Sequence, residues 1–201
     1  MVELLTKEKS QRLINIKGKI KGVGIKQDWD FVLKEKGTNG LKKLEDKMGK
    51  LGYSLKYKDI KSGKFYPLGI DTISLLAMKE LFGFDEKEFI KMGMSYLELS
   101  MVFKVFAKYL LSPKRIAEQA SRIWNSYYTV GALKVVEVDE EKKNMTLRIE
   151  DFDIDSLYCW IYKGNFIKIL QVVTKGKVNC EERKCTFRGD QFHEFFLTWE
   201  Q

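Results

Sequence analysis

The chain is poor in several residues that usually carry chemistry or covalent stiffness. It has two prolines, three cysteines and one histidine in 201 residues. Three cysteines leave an odd thiol, so Cys159, Cys180 and Cys185 read as reduced side chains rather than a disulfide framework. No window approaches the ~18 uninterrupted apolar residues of a membrane span. The N-terminal run Met1-Val2-Glu3-Leu4-Leu5 passes into charge without an apolar stretch or small-residue cleavage site, which predicts a cytoplasmic protein without a signal peptide. Arginine is scarce too: most of the net charge of +8 is lysine, concentrated in the first third from Lys7 to Lys26. The planar forks that read guanine and phosphate are therefore few, and a solvated basic face is expected in preference to a nucleic-acid surface. No phosphate loop is present either, since Gly18-x-x-x-Gly22-x-Gly24 lacks a Gly-Lys-Ser/Thr ending.

What the chain does have is apolar periodicity. With 44% hydrophobic residues it can bury a sizeable core. Leu13 to Lys21 reads as an extended lead-in ended by Gly22 and Gly24. Helices are predicted over 28–36 and 38–50, separated by Gly37, and from a cap at Asp71 to Leu81 with Gly83 as the stop. Asp85 and Glu88 form a capping-box pair for a long helix to about Leu111. Ser112-Pro113 then resets the chain, serine as cap and proline at the first helical position of a helix reaching about Tyr127. After Gly131 the period changes to two. Strands over 132–138 and 145–149 flank a charged turn, and Asp155 or Ser156 caps an apolar helix through Val173. A second hairpin, 177–187 and 192–199, turns at Gly189-Asp190. The expectation is one α+β domain over 1–201, helical to 127 and ββαββ over 128–201, with the helices packed on an antiparallel sheet of about four strands and a possible apolar pocket enclosed.

Several residues together resemble a known family. The run Tyr128-Thr129-Val130-Gly131-Ala132-Leu133, the helix with Tyr158-Cys159 and Gly164, and the closing Cys185…Gly189-Asp190…His193 are similar to the vinyl-4-reductase-like small-molecule-binding domains. These share a superfamily with haem-nitric-oxide-binding domains and Golgi transport-particle subunits. Lys17-Gly18, Phe31-Val32, Gly40-Leu41, Tyr66-Pro67-Leu68 and Met92-Gly93 resemble the helical part of the same superfamily. The resemblance implies an α+β fold around a cavity for haem, an acyl chain or another small molecule. Haem held in the superfamily's manner needs a proximal histidine on a central helix and a Tyr-x-Ser-x-Arg run, and the sequence contains neither. In the vinyl-reductase-like branch a cysteine commonly stands on each side of the Gly-Asp turn; here His193 takes the place of the second.

The same hairpin holds the one arrangement that suggests a metal. If Gly189-Asp190-Gln191 is a three-residue turn, Cys185 faces Phe195 and lies diagonally from His193, ~7–8 Å away on one face, whereas a two-residue turn would put the two on opposite faces. Zinc or another soft ion could then be held by Cys180, Cys185 and His193, provided a bulge at Glu181-Glu182 corrects the parity of Cys180. Small buried cysteines and a half-buried histidine explain the same residues without a metal. A catalytic cysteine–histidine pair is disfavoured, because no orienting third group or oxyanion site is marked, and no catalytic residue is assigned. Arg188-Gly189-Asp190 reads as a tight turn and not as an adhesion motif.

The functional expectation is a non-enzymatic binding or sensory domain for a small hydrophobic or amphipathic ligand, with Phe103, Phe106, Trp124, Tyr128, Cys159 and Trp160 lining the pocket. A homodimer through the helix from Phe89 to Leu111 and a signalling partner protein complete it. The alternatives are a ligand-free interaction scaffold, a reductase-like enzyme, and a lysine-rich nucleic-acid-binding regulator.

Overall fold

A computed structural model describes residues 5–99 and 112–200 of the chain. Within these the fold is α+β, as the change of period predicts, and the chain divides into two compact units. One comprises the residues up to Asp85 together with Tyr127–Thr129; the other comprises Glu86–Ser126 and Val130–Gln201.

The first unit opens with α1, Lys7–Ile14, whose N-cap Thr6 accepts a hydrogen bond from the Lys9 amide at 3.1 Å. The extended lead-in expected from Leu13 is therefore shorter: only β1, Lys19–Lys21, is strand, pairing antiparallel with β2, Phe65–Pro67. Gly22 and Gly24 begin a helix instead of ending a strand. The Gly22 amide donates to the Lys64 carbonyl at 2.7 Å, and a Cβ on Gly22 would stand 2.3 Å from the Lys61 oxygen, so glycine here marks a close backbone approach. This helix, α2, spans Gly22–Lys50 and is interrupted at Gly37 (φ 67, ψ −171), where the sequence places its break. α3 runs Leu68–Phe82 and stops at the left-handed Gly83. It starts three residues before the expected cap, so Asp71 lies in its first turn, where a carboxylate still complements the helix dipole. Trp29, Phe31 and Val32 of α2 and Ile73, Leu75 and Met78 of α3 are buried.

The second unit contains α4 (Glu86–Leu99), α5 (Pro113–Tyr127, its last residue in the first unit), β3 (Ala132–Asp139), β4 (Asn144–Glu150), α6 (Leu157–Thr174), β5 (Val178–Lys184) and β6 (His193–Trp199). The Ser112 hydroxyl accepts from the Arg115 amide at 3.4 Å and Asp155 from the Leu157 amide at 3.1 Å, as expected of those residues at helix starts. The four strands form one antiparallel sheet in the order β3-β4-β6-β5. Phe195 and Leu197 of β6, Leu147 and Ile149 of β4 and Ile161, Phe166 and Leu170 of α6 are buried. α4 and α6 cross in direct backbone contact, because a Cβ on Gly93 would stand 2.0 Å from the Ile161 oxygen and one on Gly164 2.0 Å from the Ile90 oxygen.

The last hairpin closes through neither a three-residue nor a two-residue turn. Glu182 pairs with Phe195 and Lys184 with Glu194, with a bulge between Glu182 and Lys184. A 3-10 turn, Thr186–Arg188, then leads to Gly189 at φ 94. The bulge falls one position later than anticipated, and Cys185 leaves the ladder altogether. No helix among the described residues is long and apolar enough to cross a membrane.

Candidate metal centre

Four side chains from four segments of the second unit converge. Cys159 comes from the first turn of α6, Glu182 from β5, Cys185 from the loop after it and His193 from the first position of β6. Their ligating atoms all lie within 4.8 Å of one another. The loop that presents Cys185 is closed by its own hydrogen bonds: the Cys185 amide donates to Asp190 Oδ2 at 2.8 Å, and the amides of Arg188 and Asp190 donate to the Cys185 carbonyl at 2.9 and 3.2 Å. The left-handed conformation at Gly189 that permits this return is one a side chain resists.

Cys159 Sγ lies 3.8 Å from Cys185 Sγ and 3.5 Å from His193 Nδ1, and His193 Nδ1 lies 3.4 Å from Glu182 Oε1. Metal–sulfur bonds of ~2.3 Å and metal–nitrogen and metal–oxygen bonds of ~2.0–2.2 Å around a tetrahedral ion place two sulfurs about 3.8 Å apart, sulfur and nitrogen about 3.6 Å apart, and nitrogen and oxygen about 3.4 Å apart. The observed separations match each of these values. Behind the imidazole, Nε2 is 3.0 Å from Thr186 Oγ1 and 3.9 Å from Asp153 Oδ1. Thr186 can accept from Nε2, and the tautomer with hydrogen there is the one that a metal at Nδ1 requires.

Burial pushes the Cys159 thiol well above its ordinary range, with Glu182 and Cys185 adding to the effect. Burial also acts to raise Glu182, but hydrogen bonds with His193, Cys159 and Cys185 and the charge of Arg188 prevail, and its carboxyl sits below the usual range. A thiol held protonated is a poor nucleophile. A cation among these donors reverses that balance, because a coordinating thiol is deprotonated by the metal.

Of the metal ligands expected from sequence, Cys185 and His193 are in this group and Cys180 is not. Cys180 pairs with Leu197 while Glu182 pairs with Phe195. The two lie on one face of β5, but two residues along a strand is about 7 Å. Burial pushes the Cys180 thiol up to about 12. Glu182 and the donor role of Cys159 were not anticipated. The spacing Glu182-x-x-Cys185 was the available signal; nothing local links either residue to Cys159.

The expected pocket residues are described only in part. Phe103 and Phe106 lie outside the described residues. Trp124 donates from Nε1 to the Val130 carbonyl at 3.0 Å and packs on Phe152 and Tyr162. Tyr128 belongs to the first unit, bridged to Ile20. Trp160 stacks on Phe89 and, with Cys159, Cys180, Glu182, Lys163 and Arg188 among others, lines a cleft of about 470 Å³.

No protein-family model matches the sequence, and no curated protein matches it. Solved structures do. An H-NOX protein from S. oneidensis in the Fe(II) ligation state, a triple mutant, aligns with a TM-score of 0.73 at 11% identity, covering 90% of this chain and 97% of that one. The Fe(II) unliganded H-NOX protein from K. algicida gives 0.67 at 10% identity, with 90% and 97% covered. The S. oneidensis protein in the Fe(II)NO state gives 0.62 at 12%, with 90% and 100% covered. The chain therefore has the H-NOX fold. Haem held by a histidine, which the superfamily resemblance raises, does not fit the residues present: the sole histidine is 3% exposed on β6 and both of its ring nitrogens face partners of the donor group or its support.

Proposed function

We propose that this chain is a non-enzymatic binding domain of the sensory kind whose site is organised around a zinc ion held by Cys159, Cys185, His193 and Glu182. The observation that carries the reading is the convergence of four donors within 4.8 Å of one another, three of their separations agreeing with those of a tetrahedral zinc ion, in a site buried on the thiol and imidazole side. Two thiolates, an imidazole and a carboxylate suit zinc better than magnesium or calcium, which take oxygen. Zinc supplies the positive charge that the buried thiols need to ionise. The chain's own residues do the rest: Thr186 holds the imidazole tautomer, Arg188 fixes the outer oxygen of Glu182, and Asp190 fixes the Cys185 loop.

The sensory part of the reading is supported by the fold, which this chain shares with proteins described in Fe(II) and Fe(II)NO ligation states. Within the superfamily, the hairpin Cys185…Gly189-Asp190…His193 supports placing the chain in the vinyl-4-reductase-like branch, with a small amphipathic molecule as its ligand.

The test is metal content of the purified protein, with zinc and cobalt titration of the metal-free form. One ion per chain is expected, with loss of stoichiometric binding in Cys159→Ser and Cys185→Ser and retention in Cys180→Ser. Metal-free protein that takes up neither ion, or binding that depends on Cys180 and not on Cys159, overturns the reading.

A further inference from the structure

We propose that the coordination position of Glu182 is exchangeable and that a low-molecular-weight thiol, entering through the adjoining cleft, takes it. This rests on the zinc reading above and names the class of ligand the site would sense.

The donors are not equally placed. Cys159 and Glu182 line the cleft, whereas Cys185 and His193 do not, and of the four donors only Glu182 is not buried. Anything reaching the ion from solvent therefore meets it on the side of Glu182 and Cys159. Glu182 is also the one hard donor in an otherwise soft set, and a soft ion gains by exchanging a carboxylate oxygen for a thiolate. An incoming carboxylate would gain nothing by the same exchange, which is what selects a thiol.

Glu182 has somewhere to go. Arg188 Nη1 lies 3.2 Å from its Oε2 and Nη2 donates to its main-chain carbonyl at 3.1 Å. The Arg188 side chain is 53% exposed and free to follow. The displaced carboxylate thus stays paired instead of becoming a lone buried charge, which removes the largest cost of the exchange. In the exchange the metal–oxygen bond breaks, a metal–sulfur bond forms, the thiol proton passes to Glu182 or to water, and no electron is transferred. The cleft, at about 470 Å³, lies within the roughly 300–1,000 Å³ range of small-molecule sites. The Trp160 ring, stacked on Phe89, supplies one aromatic wall of a cleft otherwise lined mostly by charged and polar side chains, Glu86, Lys163, Asn179 and Glu181 among them.

The test uses the full chain loaded with cobalt and titrated with benzyl mercaptan, with benzyl alcohol as the control of equal shape. The expected result is a saturable increase in the thiolate-to-cobalt charge-transfer absorption with benzyl mercaptan only and with cobalt retained on ultrafiltration. Trp160→Ala should leave the starting cobalt spectrum unchanged while weakening the thiol about tenfold, the scale of one aromatic stacking contact. Glu182→Gln, which weakens the bond to be broken, should take up the thiol more tightly than the parent. A cobalt spectrum with two thiolates that does not respond to the thiol, or cobalt stripped into the filtrate, overturns the exchange and leaves the metal site standing. Failure to bind cobalt at all overturns both.

Discussion

At the scale of single residues, the histidine is decided by its far nitrogen. With Thr186 Oγ1 3.0 Å from Nε2, the metal-facing atom is Nδ1, and Thr186 acts on the site without touching the ion. Thr186→Val should mix the tautomers of the metal-free protein, seen in the ¹⁵N shifts of the imidazole, and weaken zinc about tenfold or more, whereas Thr186→Ser should restore both. The thiol beside it makes a pH prediction for the metal-free protein. Cys159 is raised from an ordinary value of 9.0, so the folded state holds this proton more tightly than the unfolded one. Its contribution is fully present below pH 9.0 and is lost as the pH rises toward the folded value. Tyr57, raised to about 12 by burial and by donating to Asp30, acts in the same direction above its ordinary 10.0. Urea midpoints should therefore fall as the pH rises from 9, less steeply in Cys159→Ala. Zinc should remove the Cys159 part of that slope by taking the proton's place.

At the scale of elements, the position of Cys159 depends on the α4–α6 crossing. With prospective Cβ atoms 2.0 Å from carbonyl oxygens at both Gly93 and Gly164, neither residue can become alanine unless the helices part. Gly93→Ala should cost about 2 kcal/mol in denaturant unfolding and weaken zinc as well, because α6 carries Cys159 away from the hairpin. Much at this scale was legible in the sequence. Gly37 breaks α2, Ser112-Pro113 opens α5, Asp155 caps α6, and the period change at Gly131 marks the sheet, because each is a local rule that tertiary structure left undisturbed. The helix at Lys7–Ile14 was not legible, since its lysines hide its short apolar stripe and only its last two residues figure in the sequence reading, as the start of the extended lead-in. The register of the last hairpin was missed because a 3-10 turn and a bulge together displaced Cys185 from the ladder, and no local propensity separates that loop from a tighter one. The donor set divides along the same line: Glu182, Cys185 and His193 share a hairpin, whereas Cys159 joins them only through packing of α6 on β5.

At the scale of the whole chain, all four donors belong to the second unit. Stabilisation by zinc should therefore be confined to that unit, about 2.7 kcal/mol at an ion concentration a hundredfold above the dissociation constant. Hydrogen exchange with and without a chelator checks this: amides of α6, β5 and β6 should lose protection on removal of the ion, while those of α2 and α3 should not. Uniform loss across both units would show that the two unfold as one.

The first unit is not contiguous in sequence. Lys19 receives the Thr129 amide on its carbonyl at 3.0 Å and gives its own amide to the Thr129 hydroxyl at 2.8 Å, so the two residues just downstream of α5 bridge to a strand begun more than a hundred residues earlier. A truncation after Asp85 would leave β1 with an unsatisfied edge, and one beginning at Glu86 would carry Tyr127–Thr129 without their host. Ribosomal synthesis meets the same constraint: the first unit cannot close until Thr129 has left the exit tunnel, by which time α4 and α5 have already emerged.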